Sequence, residues 1–467
     1  MMNGSQKSDC CEVAMKLANK PEGSGAESVE RRRQAEGNPS EPHTCRTQRR
    51  EGVSQGLELA LRRKAAAGVD GVTWEQYGEA LEANLAELHE RVHRGTYRAR
   101  PSRRTYIDKS DGSQRPLAVA ALEDKVLQRA VVEVLNAVYE ADFLGFSYGF
   151  RPGRSQHNAL DALATAIVRT RVNWIVDADI AGFFDGLNRL WLERFLRHRI
   201  GDTRVLRLID KWLKAGVLEH GELKLSEHGT PQGAVASPLL ANVYLHYCFD
   251  LWAQRWRRRH ARGNVIFVRY ADDILAGFEH ECEAKRFLAD MRERLGQFAL
   301  SLHPDKTRLI EFGRFAASNR QRRGLGKPET FKFLGFIHIC DRTPKGAFRL
   351  RRKTRPDRMR DRLRKIKGAL RRQWHLPIAQ QGKWLQQVVR GYFAYHAVPT
   401  NSYSINAFRR AVMFLWLRAL RRRSQRDRTT VALVARLAAR WLPPALVLHP
   451  VPFDRFLVKH PRWEPGA

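Results

Sequence analysis

The sequence predicts an α+β fold, in which strands and helices alternate through the middle of the chain and basic helices follow. Two apolar runs rich in β-forming residues, 174–180 and 265–276, are typical of buried strands. Residues 123–132 carry apolar side chains at helical spacing. Arginine-rich segments after residue 349 are predicted to be helices. No internal repeat is visible, so the pattern does not indicate a repeat array.

The charge of the chain predicts a polyanionic partner. Its 467 residues include 83 Lys and Arg against 49 Asp and Glu, a formal net charge of +34. Such a charge attracts nucleic acid and makes binding depend on salt. The hydrophobic content of 43% allows a packed core, and the length allows roughly two to four domains. Composition leaves open a ribosome-associated structural protein and a membrane-surface binder.

The cysteines and apolar segments predict a cytoplasmic protein. The six cysteines are scattered without a Cys-x-x-Cys spacing, so neither a zinc site nor a disulfide framework is expected. The sequence shows no signal peptide and no apolar run of membrane-spanning length. The longest apolar run, 411–417, is short and flanked by arginine, so we expect it to be the buried face of a helix.

Two adjacent carboxylates, Asp272 and Asp273, interrupt the apolar run 265–276. The pattern predicts a strand, a tight turn that holds both acids, and a second strand. Like charges in a half-buried site are costly, and a divalent cation such as Mg²⁺, which prefers carboxylate oxygens, removes that cost. The pair therefore predicts a metal site suited to phosphoryl transfer. The alternative is a solvated turn, because Asp is common in turns.

A second acidic strand end lies upstream. Asp177 and Asp179 share one face of the predicted strand, and Asp179 lies nearer its end. Asp185 follows where a helix is predicted to begin, and we expect it to be an N-cap and not a ligand. If the two strands are neighbours, Asp179 meets Asp272 and Asp273. Three carboxylates could hold two Mg²⁺ ions, one activating a 3′-hydroxyl and one stabilising a leaving pyrophosphate.

Several sequence blocks resemble, in order, the motifs of one family. Asp-Ile-Ala-Gly-Phe-Phe-Asp at 179–185, the block that begins Gly-Thr-Pro-Gln-Gly at 229–242 and Tyr-Ala-Asp-Asp at 270–273 look like successive reverse transcriptase motifs. The subtype is similar to the bacterial group II intron reverse transcriptase/maturase family. Further blocks that share this resemblance are 68–73, 106–117, 147–155, 306–307, 331–336 and 391–396.

The resemblance implies an RNA-directed DNA polymerase encoded by a group II intron, with a maturase role in splicing and mobility. It implies a right-hand polymerase with fingers at 56–170, a palm with a split βαβ antiparallel sheet at 171–340, and an α-helical thumb or maturase domain at 341–467. Residues 1–55 are predicted to be a basic tail, disordered in isolation. The implied cofactor is Mg²⁺, two ions. The implied partners are intron RNA, an RNA template with a DNA primer, dNTPs and a DNA target.

The resemblance also assigns the catalytic and nucleotide-binding residues. The catalytic metal ligands would be Asp179, Asp272 and Asp273, with the backbone carbonyl of Ile180 as a further ligand. The nucleotide-binding residues would be Lys109, Arg115, Phe184 and Gln232. Lys109 and Arg115 flank a predicted turn and would grip the triphosphate, while the ring of Phe184 would exclude a 2′-hydroxyl. Two solvated cations and a core phenylalanine are the alternatives.

Six basic residues are expected to contact nucleic acid. They are Arg151, Lys306, Arg351, Arg352, Arg421 and Arg422. Such contacts would reach mainly phosphates, so they would recognise shape more than sequence. For Lys306 the alternatives are a solvated side chain and one that stabilises the surroundings of the metal site.

Other functions remain open at the level of the sequence. A maturase that binds RNA without polymerising is the main alternative, because the segment before residue 68 looks shorter than is usual in the family. An RNA-dependent RNA polymerase is disfavoured by Phe184 and by the maturase-like end of the chain. Residues 145–149 match the Gly-x-Ser-x-Gly elbow of hydrolases, but a helical pattern precedes them where that elbow requires a strand. No His/Asn nuclease motif follows, so endonuclease activity is not expected.

Overall fold

The computed structural model has the predicted α+β class. It describes residues 66–108, 112, 114–219, 221–224, 229, 233–423 and 429–459, so the predicted tail at 1–55 lies outside the described residues. The strands are β1 (Ser102–Asp108), β2 (Gln114–Val119), β3 (Trp174–Asp179), β4 (Val217–Glu219), β5 (Glu222–Lys224), β6 (Val265–Tyr270), β7 (Asp273–Phe278), β8 (Arg308–Glu311), β9 (Phe331–Phe333), β10 (Phe336–Arg342) and β11 (Phe348–Thr354). The helices are α1 (Trp74–Glu79), α2 (Leu81–His93), α3 (Leu122–Tyr139), α4 (Gln156–Arg169), α5 (Phe183–Gly186), α6 (Arg189–Arg199), α7 (Thr203–Lys214), α8 (Ser237–Leu245), a π turn (His246–Asp250), α9 (Leu251–His260), α10 (Glu281–Gly296), α11 (Ala316–Arg322), α12 (Pro356–Arg372), α13 (Ile378–His396), α14 (Ser402–Arg421), α15 (Val431–Trp441) and α16 (Pro452–Lys459).

A four-stranded antiparallel sheet with the order β6-β7-β3-β8 lies at the centre of the described structure. Strand β7 pairs antiparallel with both β3 and β6. Strands β3 and β6 therefore run parallel to each other, are joined through helices and have β7 between them. This is the split βαβ arrangement that the sequence analysis predicts.

The two faces of this sheet lie in different hydrophobic cores. Val176 and Ala178 lie in a core that includes residues of α8 and α10. Ile175, on the opposite face, packs with residues of α4 and of the sheet β11-β10-β9. Burial on both faces explains why these strands read as apolar runs without polar alternation.

The hairpin of β1 and β2 belongs to a separate sheet with the order β2-β1-β4-β5. Its register places Ile107 opposite Arg115. Residues 109–111 and 113 are outside the described residues. Strand β2 thus carries Arg115, one of the predicted nucleotide-binding residues.

A third core lies among helices α12 to α15 and contains Phe408, Val412 and Trp416. The run 411–417 lies within α14, where Val412 and Trp416 are buried, so the predicted core helix face is confirmed. Among the described residues, no helix combines the length and the apolar character needed to cross a membrane.

The last helix, α16, is tied to α4 through a buried carboxylate. Asp161 is 1% exposed and accepts a hydrogen bond from Arg352 Nη1 at 3.3 Å. Arg455 Nε donates to the other oxygen of Asp161. One carboxylate therefore joins α4, β11 and α16, which are far apart in the sequence.

Three local expectations have clear outcomes. The prediction of a helix is wrong for the first arginine-rich segment after residue 349, because residues 351–354 lie in β11, which pairs with β10. The prediction that Asp185 is an N-cap is wrong, because Asp185 lies inside α5 and the side chain that caps the next helix is Asn188, which accepts from Trp191 N. Ser147 is fully buried in a loop that bridges to β6, so its surroundings are not those of a nucleophile elbow.

Candidate active site

The ends of two neighbouring strands bring the predicted carboxylates together. Asp179 is the last residue of β3 and lies directly opposite Asp273, the first residue of β7. Asp272 precedes it in the two-residue turn between β6 and β7. The other turn residue, Ala271, has a φ of 54°, in the left-handed region that non-glycine residues seldom adopt.

The electrostatic field at these strand ends is strongly negative. Burial among protein atoms, followed by the charges of Asp272 and Asp179, raises the pKa of Asp273 from 3.8 to about 7, although the side chain is open to the cleft. Burial also raises the pKa of Asp272, and Asp179 adds to the effect while Arg115 opposes it. The pKa of Asp177 is raised by burial to about 6, against the opposing charge of Arg308. A bound cation would relieve this concentration of negative charge.

Two cations next to β8 partly balance the carboxylates of β3. Lys306 Nζ lies 3.1 Å from Asp179 Oδ2. Arg308 Nη2 lies 3.5 Å from Asp177 Oδ2. Because the side chain of Lys306 is 63% exposed, this ion pair is accessible to solvent and easily exchanged.

The donor chemistry fits a hard divalent cation, because carboxylate and backbone carbonyl oxygens are the ligands that Mg²⁺ prefers. The side-chain positions are not those of an assembled metal site, since no group of three His, Cys, Asp or Glu in the described part of the chain is arranged to hold an ion. Ile180 is buried and bridges to Leu302, beside the strand end. The carbonyl of Asp179 accepts from His303 N at 2.7 Å.

The carboxylates lie in the wall of a large open cleft of about 1220 Å³. The cleft runs between the β1–β2 hairpin, the strand ends and helix α12. Its cationic lining residues are Arg115, Lys306, Arg308, Lys332, Arg355, Arg358, Arg362, Arg364 and Lys365. These outnumber the acids of the same lining, which are Asp108, Asp177, Asp179, Asp273, Asp305 and Asp361. A cleft of this size and charge suits a polyanion.

The predicted nucleotide-binding residues have different outcomes. Arg115 is exposed and lines the cleft with Asp273. Phe184 is half-buried, with its ring centroid 5.3 Å from that of Phe183 in an edge-on contact. Lys109 and Gln232 lie outside the described residues.

The prediction of a nucleic-acid contact is wrong for Arg151 and Arg352. Arg151 is 5% exposed, and its guanidinium donates to both carboxylate oxygens of Glu140 and to the carbonyls of Leu144 and Ser147. Arg352 is 2% exposed and pairs with Asp161. Both guanidinium groups are used inside the protein.

Arg351, Arg421 and Arg422 are exposed, so contact with a partner is sterically open to them. Arg351 Nε lies 3.8 Å from Asp341 Oδ2, and Arg421 Nε donates to the carbonyl of Thr429. None of the three is among the residues that line the cleft, so their role stays a prediction.

The basic wall of the cleft was not predicted from the sequence. Arg358, Arg362 and Lys365 lie on α12 at positions i, i+4 and i+7, which share one helix face. That spacing is visible in the sequence and could have identified them. The buried side chain of Asn242, which contacts Arg269 and the carbonyl of Gly149, was not predicted either.

Comparison with known proteins is consistent with this fold and site. The family model described as reverse transcriptase (RNA-dependent DNA polymerase) matches residues 107–338. Protein YkfC of Escherichia coli is 34% identical over 293 residues, which are 56% of this chain and 76% of YkfC. The group II intron-encoded protein LtrA of Lactococcus lactis is 40% identical over 166 residues, 35% of this chain and 27% of LtrA. Nuclear intron maturase 3 of Arabidopsis thaliana is 28% identical over 214 residues, 41% of this chain and 28% of that protein.

The chain is thus a member of the reverse transcriptases. It belongs to the group II intron reverse transcriptase/maturase family, so the predicted family and its reverse transcriptase/maturase function are confirmed. It spans about three quarters of YkfC but about a quarter of LtrA. Telomerase of Candida albicans aligns over 84% of this chain and 70% of its own at 12% identity, with a TM-score of 0.40, a likeness too low to support a conclusion.

Proposed function

We propose that this chain is an active RNA-directed DNA polymerase that extends a DNA primer on an RNA template with dNTPs. We also propose that it assists splicing and mobility of a group II intron, with the intron RNA and a DNA target as partners. The observation that carries the proposal is the register of β3 and β7. That register sets Asp179 opposite Asp273 at the wall of a cation-rich cleft.

Asp179, Asp272, Asp273 and the carbonyl of Ile180 would hold two Mg²⁺ ions. When bound, these ions supply a Lewis acid for the 3′-hydroxyl and for the leaving pyrophosphate. The chain itself contributes rigid placement, because two carboxylates stand on paired strand ends and the third on the turn between strands. Such placement is what in-line phosphoryl transfer requires of a protein.

The nucleotide would lie between the hairpin and the strand ends. Arg115 and Lys109 would bind the triphosphate, and the positive charge of Arg115 already opposes the rise in the pKa of Asp272. Phe184 would pack against the sugar and exclude a 2′-hydroxyl by shape. Gln232 would lie near the incoming nucleotide, as the family resemblance implies.

The primer and template would lie along the cleft. The exposed cations of α12 would contact phosphates, which positions a duplex without reading its sequence. In this assignment, residues 56–170 are fingers, 171–340 are palm and 341–467 are thumb or maturase domain. The central sheet within 171–340 and the separate helical core of α12 to α15 support a palm followed by a helical domain, whereas the boundary at 340 falls within β10 (Phe336–Arg342).

Primer extension on an RNA template with dNTPs and Mg²⁺ tests the proposal. Asp272→Asn should abolish extension while preserving shape. The matched control is Asp210→Asn, because Asp210 is an exposed carboxylate on α7 that pairs with Lys214. If wild type extends no primer, or if Asp272→Asn extends as well as Asp210→Asn, the polymerase proposal fails.

A second candidate is a maturase that binds intron RNA with little polymerase activity. The ion pair between Lys306 and Asp179 favours it, because a cation of the protein already lies beside one of the proposed metal ligands. In this case wild type and Asp272→Asn would bind intron RNA equally well, and neither would extend a primer.

A further inference from the structure

A buried ion pair lies directly behind the turn that carries Asp272. Arg269 and Asp250 are both fully buried. Arg269 Nε donates to Asp250 Oδ1 at 2.7 Å, and Arg269 Nη2 donates to Asp250 Oδ2 at 2.6 Å. Replacing a buried ion pair by apolar residues is often neutral or stabilising, so stability alone is a weak reason for such a pair.

The remaining contacts of Arg269 reach the turn itself. Its Nη1 donates to the carbonyl of Ala271 at 3.1 Å and to Asn242 Oδ1 at 2.9 Å. The carbonyl of Ala271 belongs to the peptide bond that joins Ala271 to Asp272. The hydrogen bond from the guanidinium therefore fixes the orientation of that peptide plane, to which Asp272 is attached. The left-handed backbone of Ala271 costs on the order of 1 kcal/mol and persists only where its surroundings fix it.

The π turn at His246–Asp250 gives this cluster its geometry. In a regular α-helix, Asn242 and Asp250, eight residues apart, would point about 80° apart. A π turn accommodates an additional residue, which reduces that difference to about 20°. Both side chains of the helix therefore face Arg269.

The turn is also held from the other side. Asn242 Nδ2 donates to the carbonyl of Gly149 at 2.7 Å. A Cβ added at Gly149 would lie 2.3 Å from Ala271 N, so the loop before α4 rests directly on the turn. The backbones of Tyr148 and Phe146 bond to that of Arg269 at 2.8 and 2.9 Å.

We propose that Arg269, held by Asp250 and Asn242, is a positioning residue that fixes the Ala271–Asp272 peptide and thereby the carboxylates of the turn. It touches neither substrate nor metal. The inference rests on the proposed function of those carboxylates. It also gives the π turn a role, which is to orient Asp250 toward Arg269.

Three variants of the full-length protein test this. Arg269→Lys keeps the charge but loses the paired contacts, and Asn242→Ala is a milder change that leaves the ion pair intact. The matched control is Arg352→Lys. It makes the same change in a second buried ion pair, between Arg352 and Asp161, which does not contact the turn. Hydrogen exchange is followed in the peptide that spans 265–278, together with kcat and KM for dNTP in primer extension.

Arg269→Lys and Asn242→Ala should exchange faster in that peptide, whereas Arg352→Lys should not. The Arg269→Lys kcat should fall by about ten- to a hundredfold, with KM for dNTP changed less than about threefold, as for a group that orients metal ligands. Unchanged exchange, or faster exchange with an unchanged kcat, overturns the inference. If wild type itself extends no primer, the proposed polymerase fails separately, and the exchange comparison still decides whether Arg269 fixes the turn.

Discussion

Lys306 Nζ lies 3.1 Å from Asp179 Oδ2, so one carboxylate of the strand ends is paired with a cation of the protein itself. A metal ion at Asp179 must compete with this lysine. The ion pair is exposed on its lysine side, so the competition is weak. If the carboxylates bind Mg²⁺ as proposed, Lys306 lowers the affinity of the site for that ion.

Lys306→Gln should lower the Mg²⁺ concentration at which half of the Mg²⁺-dependent rise in Tm is reached. The expected change is about two- to fivefold, since an exposed ion pair contributes about 0.5–1 kcal/mol. Thermal unfolding in a series of Mg²⁺ concentrations measures it. The control is Lys285→Gln, because Lys285 forms an exposed pair with Glu281 on α10. Equal midpoints for Lys306→Gln and wild type would show that the lysine does not compete.

Asp273→Asn should stabilise the metal-free protein at pH 8 and have no such effect at pH 4. The pKa of Asp273 is raised from 3.8 to about 7 in the folded state, so the folded state holds a proton that the unfolded state releases. Stability is therefore lost as pH rises between these two values, and asparagine removes that loss. The gain at pH 8 is about 1 kcal/mol, because solvent in the cleft screens the charges.

Urea unfolding with a chelator present, at pH 4 and at pH 8, tests this pH dependence. Asp210→Asn, on the exposed face of α7, is the control and should not gain stability at pH 8. A stability of Asp273→Asn that follows wild type across the whole pH range would contradict the prediction.

Gly149→Ala should destabilise the protein by about 3 kcal/mol, at the upper end of the usual cost of overpacking. The added Cβ would lie 2.3 Å from Ala271 N, a backbone atom that cannot move without displacing the turn. Gly145→Ala, in the same loop, is the control, because nothing lies within 4 Å of its Cβ position. Urea unfolding compares the two, and equal midpoints would exclude close contact between loop and turn.

Phe184→Ala should admit ribonucleotides to primer extension, since the space left by the ring accommodates a 2′-hydroxyl. The measurement is single-nucleotide incorporation with dNTP and with NTP, expressed as a ratio of kcat/KM values. Phe315→Ala is the control, because Phe315 is an exposed ring outside the cleft lining. An unchanged sugar preference in Phe184→Ala would remove this ring from the nucleotide site.

Much of the central fold could be predicted from the sequence because its signals are local. The apolar runs around residues 174–180 and 265–276 form β3, β6 and β7, and the acids at their ends fall at the strand ends as expected. The prediction that Asp179 meets Asp272 and Asp273 needed only the assumption that the two strands are neighbours, whereas the register that sets Asp179 opposite Asp273 comes from the structure.

The buried arginines could not be predicted because no local residue pattern marks the carboxylates with which they pair. Arg151 and Arg352 look in the sequence like the exposed arginines around them. Their burial depends on Glu140 and on Asp161, which lies 191 residues before Arg352. The position of Asp250 likewise depends on a π turn, for which no residue pattern is diagnostic.

The contact between Asp161 and Arg455 has a consequence for the order in which the protein is made. The two residues are 294 positions apart. At the pace of translation, Asp161 is synthesised roughly 15 to 60 seconds before Arg455. The carboxylate of Asp161 lacks both of its arginines until Arg352 is made, 191 positions later, and it lacks Arg455 for the rest of that interval. A nascent chain can therefore complete the packing around α4 only after α16 has been synthesised.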